Sequence, residues 1–189
     1  NLQRQVIHFT ADLNRPKIES AEFKLNSLNP DVKINTYKIK ADPGNIADII
    51  NEYDFILDCT DNFDAKFLIN DACFFARKHY SHAGVLGMEG QAMTVIPRKS
   101  ACYRCVFNEP PSPFDVLSSS DEGILGAVAG MFGTIQAQEA IKFITGSGEL
   151  LTDNLLIINI KSLEFRKIKV RKNVKCPICG DSPIITGLK

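Results

Sequence analysis

Four things are missing from this chain, and each narrows what it can be. It has no net charge, because 22 lysines and arginines are balanced by 22 aspartates and glutamates. Nucleic-acid-binding surfaces depend on an excess of positive charge, so no nucleic-acid partner is expected. No apolar run reaches the roughly 18 residues that a membrane span needs, so no membrane role is expected either. The opening Asn1-Leu2-Gln3-Arg4-Gln5 is not a secretory leader, which predicts a reducing, cytoplasmic setting. Finally, no G-x-G-x-x-G loop stands after a strand, although Gly84, Gly87 and Gly90 are near neighbours. A doubly wound nucleotide-binding sheet carries that loop in its first strand–helix unit. The expectation is therefore that this unit lies upstream of residue 1 and the chain is a fragment of a longer one. The missing fingerprint also speaks against a dinucleotide oxidoreductase.

What is present reads as an ordinary globular chain, 44% hydrophobic and 23% charged over 189 residues, long enough to bury a sizeable core. Pro16 suits the first turn of a helix running to about Leu28, which Asn29-Pro30 stops. Alternation over Val32–Ile39 predicts a strand. A short helix over Ile46–Asn51, a buried strand over Phe55–Asp58 and a helix over Ala65–Lys78 follow. Strands are expected at Tyr80–Ala83 and Gln91–Pro97, with a glycine-rich corner at Gly84–Gly90 between them. Residues 108–121, rich in proline and serine, are expected to be a mobile loop. The longest helical pattern is Ile124–Thr145, with Val128, Phe132, Ile135 and Ile141–Ile144 near one face. Its Gly126, Gly130 and Gly133 suggest close packing against another backbone. Leu155–Ile160 and Leu163–Val170 read as an antiparallel pair. Helices alternating with strands make this an α/β chain.

Two constellations carry chemistry. In Asp58-Cys59-Thr60-Asp61-Asn62, polar side chains crowd the carboxyl end of a strand, where open α/β sheets bind ligands. A carboxylate there can hold a magnesium ion that carries a nucleotide's phosphates; equally, these side chains can simply cap the next helix. The other constellation is the two C-x-x-C pairs, Cys102/Cys105 and Cys176/Cys179. Two ligands from one tight turn and two from another complete a tetrahedral thiolate shell, a closed structural zinc site; redox dithiols are the alternative. Such a site would tether the tail, residues 171–189, to the core. Cys59 and Cys73 lack a partner motif and are expected in the core, and His8, His79 and His82 show no metal spacing. Arg4 and Lys17, read alone, are solvated charges; facing Asp61 across a triphosphate they would be cationic clamps.

Several stretches together resemble the ThiF/MoeB/HesA family: Asn1–Gln5, Arg15–Ala21, Leu57–Asn62, Gly90-Gln91, Cys102–Cys105, Gly133–Ala140 and Cys176–Cys179. The resemblance implies a single domain over 1–189. Its expected fold is a Rossmann-like, mostly parallel sheet with helices on both faces, an antiparallel C-terminal extension and a four-cysteine zinc site. It implies ATP- and Mg2+-dependent adenylation of the C-terminal glycine of a ubiquitin-like sulfur carrier ending in Gly-Gly, for thiamine or molybdenum-cofactor synthesis, by a homodimer. Arg4 and Lys17 would contact the phosphates, Asn1 and Asn62 the nucleotide, and Asp61 the magnesium. Residues 108–121 would be the crossover loop over the carrier's tail. Where many relatives have a loop cysteine this chain has Ser119, which cannot form a persulfide. Lacking the family's N-terminal part, the stretch alone is expected to be incompetent. The competing expectation is a zinc-stabilised module that binds a carrier tail without catalysis.

Overall fold

The computed structural model describes residues 1–112 and 122–188, and the chain forms two compact units, residues 1–40 and 41–189. The first unit is a run of turns leading into helix α1, Lys17–Leu28. Pro16 stands at its N-cap, where a missing N–H is no loss. The His8 ring bonds Ser20 of α1 at 3.0 Å, and Lys24 pairs with Asp12 while covering the ring of Phe9. The expected strand at Val32–Ile39 does not form; the segment has no regular secondary structure and is largely exposed. Alternation marks a chain that could lie in a sheet, but only a paired neighbour makes it a strand.

In the second unit, helix α2 (Ile46–Asn51) and strand β1 (Phe55–Asp58) hold the bounds the sequence predicts. Helix α3, Phe63–Ala76, starts two residues early because the Asn62 side chain caps it, accepting from Ala65 N at 2.9 Å. Strand β2, His79–Leu86, and strand β3, Glu89–Val95, make one long hairpin. Gly84 and Gly90 lie within these strands, and only Gly87, with φ +56°, turns the chain. The short helix α4, Tyr103–Val106, follows, then helix α5, Gly126–Thr145. Strands β4, Asn154–Asn159, and β5, Glu164–Lys169, complete the sheet.

The sheet order is β1-β2-β3-β4-β5, and it is mixed rather than mostly parallel. Only β1 and β2 run parallel; the three later pairings are antiparallel. Connection length accounts for two of these, since β2–β3 and β4–β5 are joined by tight turns and a parallel crossover needs a dozen or more residues. Successive residues on β2 and β3 face opposite ways. Tyr80, Met93 and Val95 pack with Phe67, Phe74 and Tyr103 from α3 and α4, while Ala83 and Ala92 pack with Val128 and Phe132 of α5. Helices therefore cover both faces. Strand β5, at the outer edge, is exposed along its whole length.

Helix α5 sits close because Gly90 has no side chain: a Cβ there would come within 2.2 Å of the Phe132 ring. The glycines of α5 itself do not make such an approach within this chain. Gly130 and Gly133 are exposed, and a Cβ on either would meet nothing within 4 Å among the described residues. The buried face is Val128, Phe132, Gln136 and Glu139, whereas Ile141 and Ile144 are exposed. Glu139 is anchored by Thr94 Oγ1 at 2.6 Å and Leu151 N at 2.7 Å.

Candidate functional site

The parallel pair β1–β2 carries its polar residues at the carboxyl end. Asp58, the last residue of β1, is completely buried. Its Oδ1 accepts from Thr60 N at 3.0 Å and Thr60 Oγ1 at 2.6 Å. Its Oδ2 accepts from His82 Nδ1 at 2.9 Å and lies 3.4 Å from Lys66 Nζ. Burial opposes the charge on Asp58, but the His82 hydrogen bond and the Lys66 ammonium outweigh it and hold the carboxyl below its ordinary range. Burial pushes His82 down as well, against the pull of Asp58. A neutral ring facing a carboxylate must donate from Nδ1, which leaves Nε2 buried without a hydrogen-bond partner among the described residues. Lys66 is likewise pushed down by burial, and its Nζ also donates to Ala83 O at 2.7 Å.

The loop beyond is tied at both ends. Thr60 is bound to Asp58 and Asn62 to the first turn of α3. Asp61 between them is exposed, and among the described residues no hydrogen bond or ion pair engages its carboxylate. A free carboxylate on a restrained backbone fits a hard divalent cation. Asn62 uses its Oδ1 on the helix, so its amide nitrogen is what remains for a ligand. From α5, Gln136 Nε2 donates to Asp58 O at 2.9 Å and Ser81 O at 3.0 Å, bracing the two strand ends. Cys59, expected in the core, is exposed here, with its sulfur 3.6 Å from Gln136 Oε1. Cys73 is buried as expected, its thiol pushed up to about 12 by burial.

Asn1, Arg4 and Lys17 belong to the first unit. Arg4 N donates to Asn1 O at 3.1 Å. Asn1 and Lys17 line one recess of about 180 Å³ together with Gln5, His8 and Arg15, and the Arg4 side chain is not among its walls. A roomier recess of about 450 Å³, between Asp54, Arg77, Lys78, His79 and Phe143, opens at the amino ends of β1 and β2. It is therefore at the far end of those strands from Asp61.

The four motif cysteines converge. Cys102 Sγ lies 3.8, 3.6 and 3.5 Å from the sulfurs of Cys105, Cys176 and Cys179, and Cys105 is 3.3 Å from Cys179. Four sulfurs set tetrahedrally about a zinc ion at 2.3 Å would stand about 3.8 Å apart. Convergence on one centre fits a metal better than two separate dithiols. A hydrogen bond with the neighbouring Cys102 thiol holds the Cys105 thiol below its ordinary value. Gly180 closes the second turn, where a Cβ would sit 2.5 Å from Val174 O. The first turn is fixed to α3: Asn70 Oδ1 accepts from Tyr103 N at 3.0 Å, and Arg104 grips Asp71 at 2.8 and 2.9 Å. Sequence spacing found the cysteines. It missed Lys66, His82 and Gln136, although Gln136 lies inside one of the motifs that carried the resemblance. Ser119 lies outside the described residues.

A family model described as the ThiF family matches residues 1–178. Adenylyltransferase and sulfurtransferase MOCS3 of Drosophila virilis is 41% identical over 191 residues, a match that covers all of this chain and 42% of that protein. Sulfur carrier protein adenylyltransferase of Thermus thermophilus is 35% identical over 188 residues, covering 97% of this chain and 69% of that protein. The chain thus spans less than half the length of the fly relative. Among solved structures, MccB of E. coli with ATP superposes with a TM-score of 0.80 over 95% of this chain and 56% of its own, at 19% identity, a likeness of fold.

Proposed function

This chain belongs to the ThiF family, and from that premise we propose that it takes part in ATP-dependent adenylation of the C-terminal glycine of a ubiquitin-like sulfur carrier ending in Gly-Gly, for thiamine or molybdenum-cofactor synthesis. The observation that carries this reading is the 35% identity, over 97% of the chain, to a protein named as a sulfur carrier protein adenylyltransferase. The unengaged Asp61 carboxylate at the strand tip supports it.

In the reaction a carboxylate oxygen of the carrier's last glycine bonds to the α-phosphorus of ATP. The bond from that phosphorus to the bridging oxygen breaks, and pyrophosphate leaves. Little covalent work falls to the protein, so rate comes from alignment and charge neutralisation. Asp61 would hold a magnesium ion, with Asn62 beside it. Bound there, it would supply positive charge for the departing phosphates. Arg4 and Lys17 provide cationic contacts to the same phosphates, and Asn1 holds the nucleotide. Cys102, Cys105, Cys176 and Cys179 would hold a structural zinc ion, and four thiolates would leave it no open position for chemistry.

The test is ATP–pyrophosphate exchange by the full-length protein with and without a carrier ending in Gly-Gly. Exchange that rises with intact carrier, and not with one lacking the final glycine, is the expected result. Tight carrier binding without any exchange would overturn the reading in favour of a non-catalytic carrier-binding module.

A further inference from the structure

We propose that Lys66 and His82 are positioning residues: acting through Asp58 and Thr60, they fix the backbone that presents Asp61 to a metal-bound nucleotide. The inference rests on the reading of Asp61 given above. It starts from three ionisable side chains packed together out of water, Asp58 at 0%, His82 at 1% and Lys66 at 7% exposure. Such a cluster is a poor way to stabilise a core, since apolar side chains of similar volume do so at least as well.

The geometry shows where the cluster is directed. A carboxylate offers about four lone-pair directions, and Asp58 meets four donors: Thr60 N, Thr60 Oγ1, His82 Nδ1 and Lys66 Nζ. It is saturated and has no capacity left for a metal. Two of these donors come from α3 and β2, and the other two belong to the loop residue directly before Asp61. The side chains thus hold Asp58, and Asp58 holds Thr60. Asn62, directly after Asp61, is fixed independently by its bond to Ala65 N. The groups facing His82 are Asp58 from β1, Lys66 from α3 and the Tyr103 ring from α4 at 4.5 Å. No other ionisable side chain is recorded against it among the described residues. The one unengaged carboxylate in the segment therefore sits between two pinned neighbours, and half of that pinning traces back to Lys66 and His82.

Mn2+, used as a paramagnetic stand-in for Mg2+, tests this by electron spin resonance titration of the full-length protein with α,β-methylene-ATP. Hydrogen exchange at residues 60–62 and thermal melting accompany it. Lys66→Met and His82→Leu are each expected to raise the half-saturating Mn2+ about tenfold and to speed exchange at those amides. Lys66→Arg, which keeps the charge, should restore both. Should Lys66→Met fail to fold, His82→Leu carries the same expectation. Asp61→Ala serves as the reference. If it abolishes Mn2+ binding while folded Lys66→Met and His82→Leu bind Mn2+ like the parent, the positioning role is overturned and the Asp61 reading stands. If Asp61→Ala itself binds Mn2+ normally, the Asp61 reading fails and the positioning role fails with it.

Discussion

The cysteine turns and the strand tip are built from similar materials, short loops with several polar donors each, yet they are finished in opposite ways. At the cysteine turns every donor points inward to one centre and the turns are locked by Asn70, Asp71 and Gly180. At the strand tip the inward-facing donors saturate Asp58, and a single carboxylate, Asp61, is left over. A closed arrangement stores stability; an arrangement with one group held in reserve offers chemistry.

That contrast predicts opposite responses to mutation. The largest expected effect is Asp61→Ala, which should lower pyrophosphate exchange by at least about 100-fold while shifting the melting temperature by under about 2 °C. A folded variant that keeps its activity would remove the distinction. Next, Cys176→Ala, or zinc chelation, should lower the melting temperature by about 10 °C before turnover changes in the surviving folded fraction. Metal analysis showing clearly substoichiometric zinc in fresh protein would contradict it. Gly90→Ala drives a methyl group into Phe132 and should destabilise by about 2 kcal/mol, read by chemical denaturation; combining it with Phe132→Leu should recover most of the loss. The smallest effect concerns acid. Both His82 and Asp58 titrate lower in the folded chain than their ordinary values of 6.5 and 3.8. The unfolded chain therefore binds more protons, and stability falls as pH drops, first below about 6.5 through His82 and then below about 4 through Asp58. His82→Leu should flatten the first decline, measured as melting temperature between pH 7 and pH 5.

The strand-then-helix order around Asp58 was legible because Phe55-Ile56-Leu57 is an apolar run closed by polar residues and a capping Asn62, all local signals. The cysteines were legible because ligand spacing is itself a local signal. The Asp58–Lys66–His82 cluster was not: its bonds join residues 8 and 24 positions apart, and a lone histidine in a sequence says nothing of what it will face. The sheet's mixed character was only partly visible, since Gly84 and Gly90 looked like a corner when only Gly87 turns. Within this chain Gly130 and Gly133 meet no other backbone among the described residues. A glycine marks permissible closeness, but the close approach here belongs to Gly90, on the opposing strand. Ile141 and Ile144 followed a helical period and still ended exposed, because the buried stripe of α5 runs through Gln136 and Glu139, polar residues with dedicated partners.

The outermost strand has a consequence for how this protein behaves in concentrated solution. An exposed sheet edge is a template for pairing with another chain, and β5 shows Phe165 and Ile168 to water at 59% and 42% exposure. Arg166, Lys167 and Lys169 outnumber Glu164, which pairs with Arg166, and the excess positive charge opposes the alignment of two such edges. Salt near 1 M shortens the reach of that repulsion to about 3 Å, so clumping through this edge should be governed by ionic strength well before it is governed by temperature.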